Sequence, residues 1–350
     1  MVIVTAIFIL GILKLFLYNK KSSKLFVIIA FALLFLIASL RSLIFGPDVM
    51  NYVNHYNKLK NESTISIWTN FINGTGKDPF FDLLLKFFSN IGFDNFIWLA
   101  ILSFIFLFSI SLLIYRYSSE FYISFITFIS LGYFFFSMTG LRQTLAISII
   151  LMSYKYLREK KLMTFVLIVI CASLFHSSAL IFLIAYPLAF LKIGIKHLGA
   201  LLIGLSIAVF FDDFLRIIIQ NFGWNDSLAS YAQREVTLNY SGFVIQLTIF
   251  LFCLFYKNKV LQGNKDDLSL YNIIFIGLIF QSFTIVVAEF FRLSLYFSIF
   301  NIILISKAIM IEEQKKLRSL IYIIILFSFF LYIFWDGTFF SYKFVWEDSI

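Results

Sequence analysis

The chain has 350 residues, of which 61% are hydrophobic and 13% charged, about half the roughly 25% charged share of a soluble domain. So much apolar surface cannot be hidden in a soluble core, and the long continuous apolar runs exclude an outer-membrane barrel, whose short strands alternate in character. The net charge of +9 fits the basic cytoplasmic loops of a membrane protein rather than a nucleic-acid surface.

An all-α polytopic membrane protein is expected, a single integral domain over residues 1–350, because lipid cannot satisfy a bare backbone. The first run, Val2–Leu17, has neither a preceding basic residue nor a small-residue cleavage site, so it reads as a retained span. Basic clusters mark the cytoplasmic side. They are Lys20, Lys21 and Lys24; Arg116; Lys155, Arg158, Lys160 and Lys161; Lys192 and Lys196; Lys257, Lys259 and Lys265; and Lys315, Lys316 and Arg318. Between them fall twelve membrane or partly inserted segments: about 2–18, 25–45, 95–115, 121–138, 141–157, 162–175, 177–191, 198–218, 241–256, 270–288, 290–310 and 319–335. Both termini then face outward.

Two outer loops remain, about 46–93 and 212–240. In the first, PFFDLLLKFFSNIG (79–92) puts Asp82, Lys86 and Ser89/Asn90 on one stripe, and Asp78 before Pro79 is a helix start. This predicts an interfacial helix at the outer leaflet. Over Leu162–Leu191 the one side chain of Asp, Glu, Lys, Arg or His type is His176. A straight helix of that length would measure about 45 Å, beyond the roughly 30 Å hydrocarbon core. A short helical hairpin with His176 at its tip, in the outer half of the membrane, is the expectation.

The outer side is poor in lysine but keeps arginine. Five of 20 lysines and five of eight arginines fall there, with Arg41, Arg142 and Arg292 at the outer ends of apolar helices. A planar guanidinium binds phosphate bidentately and stays charged when partly desolvated, and a charge at the membrane edge points to function. Snorkelling to lipid headgroups is the plainer alternative for any single arginine. As a set they suggest an outward pocket for an anionic, lipid-anchored ligand such as a diphosphate. His176, beside Ser177 and Ser178 and level with Arg142, suits a general base or acid, a hydrogen-bonded packing histidine being the alternative. A neighbouring arginine would disfavour its protonated form. Asp48 can pair with Arg41, and Glu289 with Arg292. Cys171 and Cys253 lie in apolar runs, and neither a disulfide framework, a metal-ligand spacing nor a glycine-rich phosphate loop is present.

GPDVMNYVNHY (46–56), DPFFDLLLKFFSNIG (78–92), GLRQTLAISI (140–149) and FHSSALI (175–181), followed by RLSLYFSIF (292–300), resemble the EpsG-type, Wzy-like bacterial polysaccharide polymerases. Gly46-Pro47-Asp48 stands where the family often has Gly-Thr-Asp, and Asp78-Pro79 where it often has Glu before the aromatic. The resemblance implies a metal-independent glycosyltransferase without a cofactor, acting in exopolysaccharide, capsule or O-antigen assembly. It would sit in the bacterial cytoplasmic membrane and transfer an undecaprenyl-diphosphate-linked glycan to the sugar of another lipid-linked unit. Its partners would be lipid-linked donor and acceptor, membrane lipid, and a flippase and chain-length regulator, with no nucleic acid. Carried over residue by residue, Arg142, Arg292 and Arg41 would bind diphosphate and His176 would be the base. Asp48, Tyr52 and Asp78 would line the sugar side, with Gln143 and Tyr296 supporting the arginines.

Other classes fit less well. A flippase of lipid-linked sugars should show two related halves and a midplane site, whereas here no halves repeat and the charges gather at the outer edge. A membrane acyltransferase would take its donor from the cytoplasmic side. An O-antigen ligase would carry one much larger outer loop.

Overall fold

The computed structural model describes residues 2–17, 23–46, 48–73, 76, 78–210, 240–336 and 342–347. Of the outer loop expected over 212–240, all but Tyr240 lies outside the described residues, Arg216 and Arg234 included. The regular elements described are helical, apart from one isolated antiparallel bridge between Arg41 and Phe344. The chain divides into two compact units, residues 1–180 with 312–350, and residues 181–311.

The first unit holds α1 (Val2–Phe16), α2 (Ser23–Ser39), α3 (Val49–Leu59), α4 (Thr64–Ile72), α5 (Pro79–Ile91), α6 (Asn95–Tyr117), α7 (Phe121–Ser130), α8 (Tyr133–Thr139), α9 (Leu141–Arg158) and α10 (Leu162–Phe175). At 23 residues, α6 is about 35 Å long, enough for the roughly 30 Å hydrocarbon core. Among the described residues it is the one helix long and apolar enough to cross a membrane unaided. Asp94 caps its start, accepting the Phe96 and Ile97 N–H groups at 2.9 Å. Leu99, Leu102, Phe106, Ile110 and Leu113 form its buried stripe, the spacing of one helix face. On this helix pack α2 and α9, and α10 lies along α9.

Several expected spans are broken. The segment over 121–138 is α7 and α8 meeting at 55°, with Gly132 at φ +79 supplying the left-handed turn between them. The segment over 162–191 is broken at His176, where the tip of the expected hairpin falls. α10 ends at Phe175, His176 is extended (φ −158, ψ 112), and a 3-10 helix runs over Ser177–Ile184. The chain from Ile181 onward belongs to the second unit.

α3, α4 and α5 form a platform beside α6 and α9. Val53, Tyr56, Phe81, Leu85 and Phe88 bury themselves with Trp98 and Leu102 of α6 and Leu145 of α9. Each such side chain contributes about 1.5–3 kcal/mol when fully buried. The Tyr56 hydroxyl donates to the Phe93 carbonyl at 2.6 Å, tying the platform to the start of α6. The polar stripe of α5 divides: Asn90 is exposed, while Asp82 and Lys86 turn toward α3. Lys86 Nζ donates to the carbonyls of Leu59 (3.2 Å) and Lys60 (2.9 Å), a basic side chain at the C-terminal end of α3. Asp82, one turn earlier, is 8% exposed.

The second unit contains α11 (Ala185–Leu188), α12 (Ile195–Phe210), α13 (Ser241–Phe255), α14 (Lys257–Gly263), α15 (Leu268–Ser282), α16 (Phe290–Ser298) and α17 (Asn301–Met310). The expected span 290–310 is α16 and α17 bent by 45°, and α14 follows α13 at 60°. α15 is central, packing on α11, α12, α13 and α16. Gly277 sets its closest approach: a Cβ there would lie 3.0 Å from the Phe297 Cβ and 3.1 Å from the Ser298 nitrogen. Ser294 crosses the same gap to donate to the Gly277 carbonyl at 2.8 Å, as small residues do where membrane helices touch. Lys307 and Asp267 form an ion pair at 2.9 Å. The chain returns to the first unit as α18 (Lys315–Asp336), packed against α7.

Candidate functional site

In the first unit, residues distant in sequence converge on one guanidinium. Arg142 lies in the first turn of α9, after Gly140, whose missing side chain leaves room for the Phe136 ring: a Cβ there would meet it at 2.5 Å. From this position Arg142 reaches two carboxylates, Asp82 at 3.3 Å and Asp78 at 3.6 Å. Its guanidinium also lies over the Phe81 ring, 5.2 Å from the centroid, and 6.0 Å from that of Tyr52, so the aromatic faces of α3 and α5 hold it in place.

Each carboxylate has a histidine of its own. His176 Nδ1 lies 3.0 Å from Asp78 Oδ2, and the Ser177 N–H donates to Asp78 Oδ1 at 3.1 Å. His55 Nε2, from α3, lies 2.8 Å from Asp82 Oδ1. Asp78 has a left-handed backbone (φ 50, ψ 60) directly before Pro79, a combination that proline disfavours. An αL residue other than glycine persists where its surroundings fix it, and here His176, Ser177 and Arg142 all do. Burial pushes the Asp78 carboxyl upward. The His176 hydrogen bond and charge, the Arg142 guanidinium and the Ser177 N–H outweigh this and hold it below the usual carboxylate range.

An ionised Asp78 can only accept, so His176 carries its proton on Nδ1 and leaves Nε2 with a lone pair when neutral. That is the arrangement a general base with an orienting acid requires. The Asp78 carboxylate stands between His176 and the guanidinium expected near it, and touches both. Among the described residues no three His, Cys, Asp or Glu side chains gather as a metal site requires.

A family model, the EpsG family, matches residues 24–344. The chain belongs to the EpsG family. Nothing among curated proteins or solved structures matches it. Membership in the EpsG family makes this a membrane protein of polysaccharide biosynthesis with a polymerase-like role.

Within the first unit the structure brings Asp78, Arg142, His176 and Tyr52 together. Arg41 is 1% exposed. Its guanidinium donates to the Ala38 carbonyl and, at 3.1 Å, to Ser103 Oγ. Buried against α6, it supports the end of α2 and does not present itself to a diphosphate. Around it the C-terminal segment is strapped on, the Tyr342 hydroxyl donating to the Ile37 carbonyl at 2.6 Å and the Val345 N–H to that of Leu40 at 2.9 Å. Asp48 stands at the N-cap of α3, and Gln143 is buried beside Arg142 on α9. Arg292 and Tyr296 are on α16, in the second unit; Tyr296 is buried, and the Arg292 N–H donates to the Glu289 carbonyl at 2.9 Å.

Asp82 and His55 join the site without having been singled out from the sequence. The spacing of Tyr52 and His55, three residues apart, was a signal that they share a helix face. The amphipathic pattern of α5 showed which residues accompany Asp82 but not that this edge meets α3.

Proposed function

We propose that this EpsG-family protein is a metal-independent glycosyltransferase that polymerises undecaprenyl-diphosphate-linked oligosaccharide repeat units at the outer face of the cytoplasmic membrane. The observation that carries the proposal is the His176–Asp78 pair standing against Arg142. His176 Nε2 takes the proton of an acceptor hydroxyl. The freed oxygen attacks the anomeric carbon of the donor glycan, the bond from that carbon to the diphosphate oxygen breaks, and its electron pair leaves with the lipid diphosphate. Asp78 holds the imidazole tautomer and balances the imidazolium that forms. The Arg142 guanidinium meets the charge developing on the leaving group, with Gln143 next to it on α9; in the second unit Arg292 and Tyr296 are assigned to substrate binding. Tyr52 and Asp48, on or next to α3, are assigned to the sugar side. The product would enter exopolysaccharide, capsule or O-antigen, with lipid-linked units, a flippase and a chain-length regulator as partners.

The test is purified protein with lipid-linked repeat unit extracted from a polymerase-deletion strain of its host. Long chains from the wild type and none from His176→Ala support the proposal; translocated monomer or an acylated sugar would refute it.

A further inference from the structure

The space beside this site lies on the side of the histidine that the proposed mechanism leaves unused. A cavity of about 250 Å³ is walled by His55 and Glu62 of α3 and the turn after it, Asn70 and Phe71 of α4, Asp82 of α5 and Arg142 of α9. His176 and Asp78 are not in its wall. The cavity is smaller than the roughly 300–1,000 Å³ of pockets that take drug-sized ligands, which suits one ring rather than an oligosaccharide. Its charges cancel: Arg142 and Lys58 face Asp82 and Glu62, and Lys58 already stands 3.8 Å from Glu62. A diphosphate needs a net positive wall, so this cavity does not suit the leaving group. A neutral ring bearing hydroxyls suits it: carboxylates and an amide accept and donate, while Phe71 offers an apolar face.

Resting on the function proposed above, we infer that this cavity is the acceptor subsite, which takes one monosaccharide ring at the end of the acceptor glycan. His55 is its central ligand. Asp82 accepts the Nε2 proton, which fixes the imidazole and leaves Nδ1 to accept from a sugar hydroxyl. Arg142 joins the subsite to the base, because the guanidinium that touches Asp82 in the cavity wall also touches Asp78, the partner of His176. A ring bound on one side of Arg142 thus places its hydroxyl near the base on the other.

A methyl glycoside of the host's repeat unit lacks a diphosphate leaving group and can serve only as acceptor, so it isolates this subsite. Full-length protein would be assayed with lipid-linked donor and this glycoside, comparing wild type, His55→Gln, Phe71→Ala and His176→Ala. Gln at 55 can still donate to Asp82, and Phe71 is 44% exposed, so both variants keep the fold. The expected result is a rise of at least tenfold in KM for the glycoside in both cavity variants, with kcat within about threefold of wild type. Unchanged KM in both, with turnover lost only in His176→Ala, overturns the subsite and leaves the proposed function standing. A fall in kcat at constant KM also overturns the subsite, since it marks a role in chemistry or folding. Full turnover in His176→Ala overturns the proposed function itself.

Discussion

Replacing Asp78 by Asn separates the orienting role of this acid from its shape. Asn occupies the same volume and tolerates the left-handed backbone at φ 50, so the turn before α5 survives. Its carbonyl still accepts the Ser177 N–H, now at 3.1 Å. What changes is the group 3.0 Å from His176 Nδ1: in any arrangement that keeps the Ser177 bond, an amide NH2 replaces the carboxylate oxygen. Two donors cannot face each other, so the imidazole moves its proton to Nε2 and loses the lone pair that should receive the acceptor proton. Inverting the tautomer of a base in this way lowers kcat on the order of 10³–10⁴-fold. Stability falls by about 1.5–3 kcal/mol for the lost charge-assisted bond. Chain elongation from lipid-linked repeat units, read with thermal unfolding of the detergent-purified protein, measures both. A variant that folds and keeps kcat within tenfold of wild type refutes the reasoning.

The same carboxyl gives a pH signature. Because its folded pKa is held below the unfolded value, it stabilises the fold above about pH 4 and loses that contribution as pH falls through the folded pKa. The melting-temperature gap between wild type and Asp78→Asn should close as the buffer is made more acidic than about pH 4. Arg142→Ala leaves two carboxylates, each still held by a histidine, without their shared cation, which should destabilise the protein by about 1.5–3 kcal/mol; Arg142→Lys should recover part of this but not span both acids, as thermal unfolding will show. At Gly46, φ is +82 and an added Cβ would lie 2.2 Å from Thr139 Cγ2, so Gly46→Ala should lower the melting temperature. Adding Thr139→Ser should restore only the part due to the clash, leaving about 1–2 kcal/mol of backbone strain. Gly277→Val should separate α15 from α16 and destabilise the second unit, by about 1–3 kcal/mol, measurable in the same way.

Much of this was legible in the residues. Arg116, Lys155 and Arg158 fell in the last turns of helices because short loops must carry such charge, and Asp78-Pro79 announced α5. His176 stood out because a histidine in so apolar a run has to meet a polar group, and it meets Asp78, 98 positions away. The breaks were harder to see. Gly132 sits inside an apolar run that hydropathy reads as continuous, and the bend comes from its φ, not from its polarity. Asp82 and Lys86 showed the spacing of one helix face, but spacing does not say what that face meets. Arg41 followed the same rule as Arg142, an arginine at the outer end of an apolar helix. They part company because Ser103 and the Ala38 carbonyl bury one guanidinium, while two carboxylates hold the other at a cavity.

The most direct test of the central claim is the size distribution of surface polysaccharide in a strain lacking this protein and complemented with wild type or His176→Ala, at matched membrane levels. The account predicts long chains with the wild type and single repeat units with the variant. Normal long chains with His176→Ala would contradict it and leave His176 as a packing residue paired with Asp78.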